Sequence, residues 1–106
     1  MTRWPMLAAL ALPALLSAAV ARAQAPAKPA RLGLCAACHG ENGIATASGI
    51  PNLAAQNRDY LIAALRQYRS GERTAQAMRA VSGSLNDADI DALAAWYAAK
   101  ASGAAR

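Results

Sequence analysis

The chain has 106 residues, 56% of them hydrophobic, and a formal net charge of +5 at neutral pH. This length accommodates one small domain with a thin hydrophobic core. Two cysteines and one histidine fall short of the four ligands of a structural zinc site. The chain is mildly basic, and we expect no nucleic-acid partner.

The N-terminus has the pattern of a secretory signal peptide. Arg3 supplies a short positive region, residues 6–20 are apolar and uncharged, and Ala21-Arg22-Ala23 has the small-x-small form of a cleavage site. We expect cleavage before Gln24. An uncleaved membrane anchor is the alternative, but this apolar run is short for a span that needs about 20 residues.

Removal of residues 1–23 as a signal peptide would leave residues 24–106, a domain of 83 residues with a net charge of +3. The chain has no phenylalanine, so large side chains contribute little to the core of this domain. A covalently held apolar cofactor would supply the missing interior, as metals and disulfides do in other small domains.

Both cysteines and the only histidine lie within five residues, Cys35-Ala36-Ala37-Cys38-His39. The CxxCH pattern is the attachment signature of a c-type haem. On a helical turn Cys35 and Cys38 share one face, so both thiols can bond to the two vinyl groups of one porphyrin edge. We therefore predict one covalent haem c, with Cys35 and Cys38 as thioethers and His39 as an axial iron ligand.

Other uses of this motif are less favoured. A zinc site would have to borrow a carboxylate in addition to two thiolates and one imidazole. A thioredoxin-like CxxC would need a βαβ context, and no strand-like alternation lies near it. A disulfide between Cys35 and Cys38 is geometrically possible but gives His39 no role.

The segments around the motif are predicted to be a loose lead-in, a short helix and a loop. Two prolines interrupt residues 24–30, and a helix is expected from near Ala30 into the motif. Residues 40–49 are small, polar and punctuated by glycine, which is typical of a loop. A backbone carbonyl near Pro51, twelve residues after His39, can accept the second ring N–H of the histidine and fix its tautomer.

A second helix is predicted from a cap at Asn57 to a stop at Gly71. Its apolar arc, expected to face inward, consists of Tyr60, Leu61, Ala64, Leu65 and Tyr68. Its basic arc consists of Arg58, Arg66 and Arg69, with Arg73 just beyond the helix. The basic arc is interpreted either as a solvated face or as a docking patch for a partner.

The last helix has the strongest periodicity, with Asn86 as its cap and Asp89 at the capping-box position. Its apolar stripe consists of Ile90, Leu93, Ala94 and Tyr97, with Trp96 beside it. We expect this stripe to pack against the short helix before Cys35, with Gly33 allowing a close approach. The first turns of the last helix carry Asp87, Asp89 and Asp91. Because the basic arc lies on another helix, the sequence predicts an electrically polarised molecule.

Met78 is the only methionine after residue 23. A lone methionine is more often core filler than a ligand. With one histidine in the chain, however, the iron needs its sixth ligand from another residue type, and His/Met ligation is common. Met78 is therefore our candidate for the second axial iron ligand, with Lys28 or Lys100 as alternatives.

Taken in order, the CxxCH motif, the later proline, the late methionine and the amphipathic last helix resemble a class I cytochrome c. The resemblance is closest to small bacterial monohaem members and to single domains of dihaem periplasmic ones. Its matching stretches are residues 35–40, 51–54, 60–61, 70–73, 85–90 and 93–97. It implies an all-α fold of three to four helices around one haem, with Met78 as axial ligand and the Pro51 carbonyl holding the proximal histidine.

One departure from the family pattern lies before the motif. Only eleven residues separate the predicted cleavage site from Cys35, where the family has a longer helix with an aromatic residue. Arg31 and Leu32 occupy that region here. We therefore expect a weaker crossing of the first and last helices.

The resemblance implies an exported, periplasmic electron carrier, not an enzyme, which does not span the membrane once the signal is cleaved. Its expected partners are redox proteins such as a respiratory complex, a terminal oxidase or a periplasmic dehydrogenase. Two alternatives remain open. If Met78 is not bound, a five-coordinate haem enzyme or gas sensor is possible, and the chain can also be a fixed haem subunit of a larger oxidoreductase.

Overall fold

The computed structural model describes residues 1–13 and 24–103, so residues 14–20 of the apolar run and the predicted cleavage site lie outside the described residues. Within those ranges the chain forms helices and no strands. The helices are α1 Leu32–His39, α2 Arg58–Ser70, α3 Gln76–Ser82 and α4 Asp87–Ala98. The predicted all-α class is confirmed. Among the described residues, every helix is too short or too polar to cross a lipid bilayer.

Side-chain caps set the ends of α2 and α4 where the sequence predicts them. Asn57 Oδ1 accepts the backbone N–H of Tyr60 at 2.9 Å, and α2 ends at Gly71 in the left-handed region, with φ of 86°. Asn86 Oδ1 accepts the backbone N–H of Asp89 at 2.8 Å, and Asp89 Oδ2 accepts that of Asn86 at 3.1 Å. This pair is the predicted capping box.

The core lies mainly between α2 and α4, and α1 closes one side of it. The predicted stripe of α4 is buried, with Ile90 exposing 0%, Leu93 1% and Tyr97 2% of their surfaces. Leu61 of α2 and Leu32 of α1 belong to the same cluster. Full burial of one large apolar side chain stabilises the fold by about 1.5–3 kcal/mol. The stripe of α4 therefore supplies a large part of the stabilisation that the core provides.

The expected close approach of α1 and α4 at Gly33 is wrong. Gly33 is exposed, and a Cβ atom built on it would have no atom within 4 Å outside its immediate neighbours. Leu32 and Cys35, one turn apart, form the buried face of α1 and turn Gly33 toward solvent. Helix α4 instead packs mainly on α2, and α1 meets the core through the Leu32 side chain.

The predicted separation of the basic arc from the acidic start of α4 does not hold at Asp87, because two arginines of the arc lie against it. Arg69 donates to Asp87 Oδ1 at 2.7 Å, and Arg66 Nε lies 4.0 Å from the same oxygen. Arg69 also donates to the carbonyl of Leu85 at 3.2 Å. The arginine beside it lowers the pKa of Asp87, through the hydrogen bond first and the opposite charge second. The packing of α2 on α4 brings the two charge clusters together.

The apolar arc of α2 is buried only in part. Leu61 and Ala64 are buried as expected, whereas Tyr60 exposes 49% of its surface. Arg73 lies over both tyrosine rings, 5.5 Å from the centroids of Tyr60 and Tyr68. The two tyrosines therefore form one side of a groove and not the interior of the helix packing.

Removal of the α4 cap tests how much this helix depends on its own first turn. We expect Asn86→Ala to lower the free energy of unfolding of the haem-loaded protein by about 1 kcal/mol, since one backbone N–H loses its partner. For a domain of this size the midpoint should fall by about 4–8 °C in thermal unfolding followed by circular dichroism. Asn42→Ala is the control, because Asn42 is exposed and its side chain makes no hydrogen bond within the described residues. Equal midpoints for the two variants would contradict the role of the cap.

Candidate haem-binding site

A cavity of about 430 Å³ lies between α1, the following loop, α2, α3 and α4. This volume is within the range of small-molecule and cofactor sites, about 300–1,000 Å³. All the site residues predicted from the sequence line it: Cys35, Cys38, His39, Pro51 and Met78. Most other lining side chains are apolar, among them Leu34, Ile50, Leu61, Leu65, Val81 and Leu93. The fold thus gathers residues from distant parts of the chain around one apolar space.

Helix α1 presents the two cysteines one turn apart. Cys35 is buried, and burial raises the pKa of its thiol, whereas Cys38 is exposed at the rim. The two sulfurs are not joined in a disulfide. Both thiols line the cavity from one helix face, which is the arrangement that two bonds to one edge of a flat ligand require.

His39 is the last residue of α1 and is buried, and one of its ring nitrogens is in a hydrogen bond. Its Nδ1 lies 2.8 Å from the carbonyl oxygen of Pro51. A carbonyl only accepts, so Nδ1 carries the proton and the lone pair of Nε2 is available to a metal. The hydrogen bond that the sequence predicts is therefore present, and it orients the imidazole in the way that ligating histidines need.

The loop between His39 and Pro51 folds back on itself through backbone hydrogen bonds. The Gly43 carbonyl accepts the N–H groups of Leu53 at 2.8 Å and Ala54 at 3.1 Å. Asn52 Oδ1 accepts the N–H of Ala45 at 2.8 Å. These bonds return residue 51 to the neighbourhood of His39, and the twelve-residue separation in sequence becomes a direct contact.

Met78 lies on α3, is half-buried and faces the cavity. The lysines considered as alternative ligands are engaged elsewhere. Lys28 pairs with Glu41 at 2.8 Å, and Lys100 Nζ lies 3.3 Å from the ring centroid of Trp96. Neither lysine is among the residues that line the cavity.

The sequence places Arg73 only in the basic arc, but the structure gives it a different place. Arg73 is the only arginine, lysine or carboxylic acid that lines the cavity in the part of the chain described. Its Nε donates to Gln67 Oε1 at 2.7 Å, and it lies over the rings of Tyr60 and Tyr68. The sequence does carry a signal for this contact. Tyr60 and Tyr68 share one helix face and Arg73 follows the Gly71 turn, and guanidinium groups favour aromatic faces.

Two residues of α4 hold the loop after His39, although their spacing in the sequence predicts only packing. Trp96 Nε1 donates to the carbonyl of Glu41 at 2.7 Å. The Tyr97 hydroxyl donates to the carbonyl of Gly40 at 2.9 Å, and burial raises the pKa of this phenol. The apolar stripe predicts that Tyr97 is buried, but no local pattern identifies a hydrogen-bond acceptor 57 residues away.

The side chains that line the cavity suit a haem. Two thiols on one helix face, an imidazole oriented through its Nδ1 hydrogen bond and a thioether are the donors for covalent attachment and for iron. The apolar walls suit the porphyrin ring, and the single cation, Arg73, suits the acidic substituents of the ring. An all-α fold of this form with a CxxCH motif on its first helix defines a c-type cytochrome domain.

Comparison with known families agrees with this conclusion. Residues 23–96 match the family described as cytochrome C oxidase, cbb3-type, subunit III. The chain belongs to this family of class I cytochrome c domains, whose members are electron-transfer proteins with covalent haem c and its iron.

Individual relatives point the same way. The chain is 37% identical over 73 residues to cytochrome c-554(548) of Halomonas halodenitrificans, covering 66% of this chain and 88% of that protein. It is 34% identical over 80 residues to cytochrome c4 of Pseudomonas aeruginosa, covering 76% of this chain and 40% of that protein. The crystal structure of reduced recombinant cytochrome c4 from Pseudomonas stutzeri superposes with a TM-score of 0.60 at 32% identity, over 63% of this chain and 38% of that one. The match thus spans most of the first relative but about two fifths of cytochrome c4.

Gly43 tests whether the loop must close as tightly as the geometry indicates. Its φ is 78°, and an added Cβ would lie 2.5 Å from Ala54 N and 3.0 Å from Tyr97 Cδ1. Gly43→Ala should lower the free energy of unfolding of the haem-loaded protein by about 1–3 kcal/mol in urea titration, since both the backbone and the contact are strained. Gly71→Ala is the matched control, because Gly71 has φ of 86°, lies away from the cavity, and an added Cβ there would meet only the flexible Arg79 guanidinium, at 3.1 Å. If the two variants lose the same stability, the close contact has no cost of its own.

Proposed function

We propose that the chain is an exported, periplasmic electron carrier whose single haem c is held by Cys35, Cys38, His39 and Met78. The observation that carries this proposal is the shared cavity, which collects both thiols, the oriented imidazole and the only methionine after residue 23. The domain responsible is residues 24–106, with residues 1–23 as a cleaved signal peptide. This boundary rests on the residue pattern, as the cleavage site lies outside the described residues.

When bound, the haem supplies one reversible electron through its iron, between the ferrous and ferric states. The chain's own residues set the conditions for that exchange. Cys35 and Cys38 anchor the group to α1, and the Pro51 carbonyl holds the Nδ1 proton of His39 so that Nε2 stays directed toward the metal. The apolar lining would shield the bound group from water, and Arg73 would supply one positive charge for the haem carboxylates.

Met78 as the second axial ligand favours a carrier over an enzyme or sensor. A thioether and an imidazole together occupy both axial positions, leave no open site for a substrate and raise the reduction potential. Lys28 and Lys100 are less suited to this role, because each is paired away from the cavity. The expected partners are redox proteins of the same compartment.

A second candidate is a fixed haem subunit of a larger oxidoreductase. It is favoured by one observation, the description of the matching family as a subunit of an oxidase. Mild extraction of the native protein followed by size analysis distinguishes the two. A free carrier runs alone, whereas a subunit co-purifies with the remainder of its complex.

The first test concerns attachment. The double variant Cys35→Ala, Cys38→Ala should export a chain that carries no covalent haem, since no other cysteine is present in the sequence. Mass spectrometry of the purified chain measures the bound group, and circular dichroism should show most of the helix content lost. A haem-free double variant that is folded and stable would contradict the view that the cofactor forms part of the core.

The second test concerns ligation. Met78→Ala should abolish the Met-to-iron charge-transfer absorption of the oxidised protein, lower the potential and admit carbon monoxide. Met78→His should lower the potential while keeping the iron six-coordinate. Absorption spectra in both oxidation states and a potentiometric titration measure these effects. Unchanged spectra in Met78→Ala would remove Met78 from the site and leave the enzyme or sensor alternative open.

A further inference from the structure

Tyr97 of α4 bonds to both ends of the segment carrying His39 and Pro51. Its hydroxyl donates to the carbonyl of Gly40, the residue after His39, at 2.9 Å. Its own carbonyl accepts the N–H of Ala55, four residues after Pro51, at 3.1 Å. The segment that joins His39 to the carbonyl it binds is therefore held at both sides by a single buried residue of α4. The hydroxyl bond to Gly40 is called the first tie here, and the carbonyl bond to Ala55 the second tie.

The backbone at the second tie is strained, which shows that it is held by its surroundings. Ala55 has φ of 59°, in the left-handed region that residues with a Cβ rarely adopt. Such a conformation costs about 1–3 kcal/mol and persists only where neighbouring contacts impose it. The contact here is the hydrogen bond to the Tyr97 carbonyl.

The first tie also fits closely. The Gly40 carbonyl accepts both the Tyr97 hydroxyl and the N–H of Gly43, at 2.9 Å and 3.3 Å. The Tyr97 ring borders Gly43 so closely that an added Cβ would lie 3.0 Å from its Cδ1 atom. Since the Tyr97 side chain exposes only 2% of its surface, water is excluded as a substitute for the hydroxyl.

We propose that Tyr97 is a positioning residue for His39, and that its two ties set the His39 to Pro51 hydrogen bond and thereby the reduction potential. The inference rests on the proposed function, in which His39 is an iron ligand. The Pro51 carbonyl increases the basicity of the imidazole by holding the Nδ1 proton, and a more basic ligand favours ferric iron. A loosened loop weakens that bond and raises the potential.

The test compares Tyr97→Phe with Asn42→Ala in the haem-loaded protein. Asn42 lies in the same loop, but it is exposed, does not line the cavity and makes no side-chain hydrogen bond within the described chain. In Tyr97→Phe, exchange of the His39 Nδ1 proton in the reduced, nitrogen-15-labelled protein should be about two- to tenfold faster, as expected for one weakened hydrogen bond. The potential should rise, while Asn42→Ala exchanges this proton at the wild-type rate. A haem-loaded Tyr97→Phe with wild-type exchange and potential overturns the inference.

Two further measurements keep the test decisive. If Tyr97→Phe does not retain haem, a protein with 3-fluorotyrosine at position 97 replaces it, because fluorine makes the hydroxyl a stronger donor without removing it. Slower His39 exchange and a lower potential support the inference, and no change in either overturns it.

If the wild type itself shows no His39 ligation, the proposed function fails separately. Amide exchange at Gly43, whose N–H shares the Gly40 carbonyl with the Tyr97 hydroxyl, then tests the first tie alone, and a rate unaffected by Tyr97→Phe overturns it.

Discussion

The hydrogen bond from His39 Nδ1 to the Pro51 carbonyl is the constraint on which the rest of the site depends. It decides which ring nitrogen holds the proton, and thus which is available to a metal. It also requires the chain to return to its starting point within twelve residues. The glycines of the loop, the bonds to the Gly43 carbonyl and the anchors from α4 all serve this return.

The sequence predicts features that depend on neighbours in the chain. The caps at Asn57 and Asn86 and the buried stripe of α4 follow from spacings of three to four residues, and each is present. The Pro51 contact was accessible only through the resemblance and the need of a ligating histidine for an acceptor. Packing partners were not accessible: the close approach at Gly33 was wrong, because helix periodicity identifies a buried face but not the element that covers it.

The arginines show the same limit: the sequence predicts which charges share a helix face, but not which charges of another helix lie against them. Helical spacing correctly groups Arg58, Arg66 and Arg69, yet this grouping does not reveal that α4 brings Asp87 against two of them. Exposed ion pairs of this kind contribute little to stability, so their main consequence is to reduce the basic surface offered to a partner. Arg73 is also in contact within the domain, since it packs on two tyrosine rings at the cavity. The basic arc is thus largely engaged within the domain, and it is a weak basis for steering a partner.

The two sides of the candidate site are supported unequally. His39 is held by the Pro51 carbonyl, and the loop that follows is tied to α4 through Trp96 and Tyr97. Met78 lies on α3, a helix of seven residues whose N-terminus has no side-chain cap and which packs mainly on α2. So short a helix has little stability of its own and depends on its packing. Movement of Met78 therefore requires displacement of one short helix, whereas movement of His39 requires the loop, its ties and α4 to separate. The methionine side is therefore the less supported of the two.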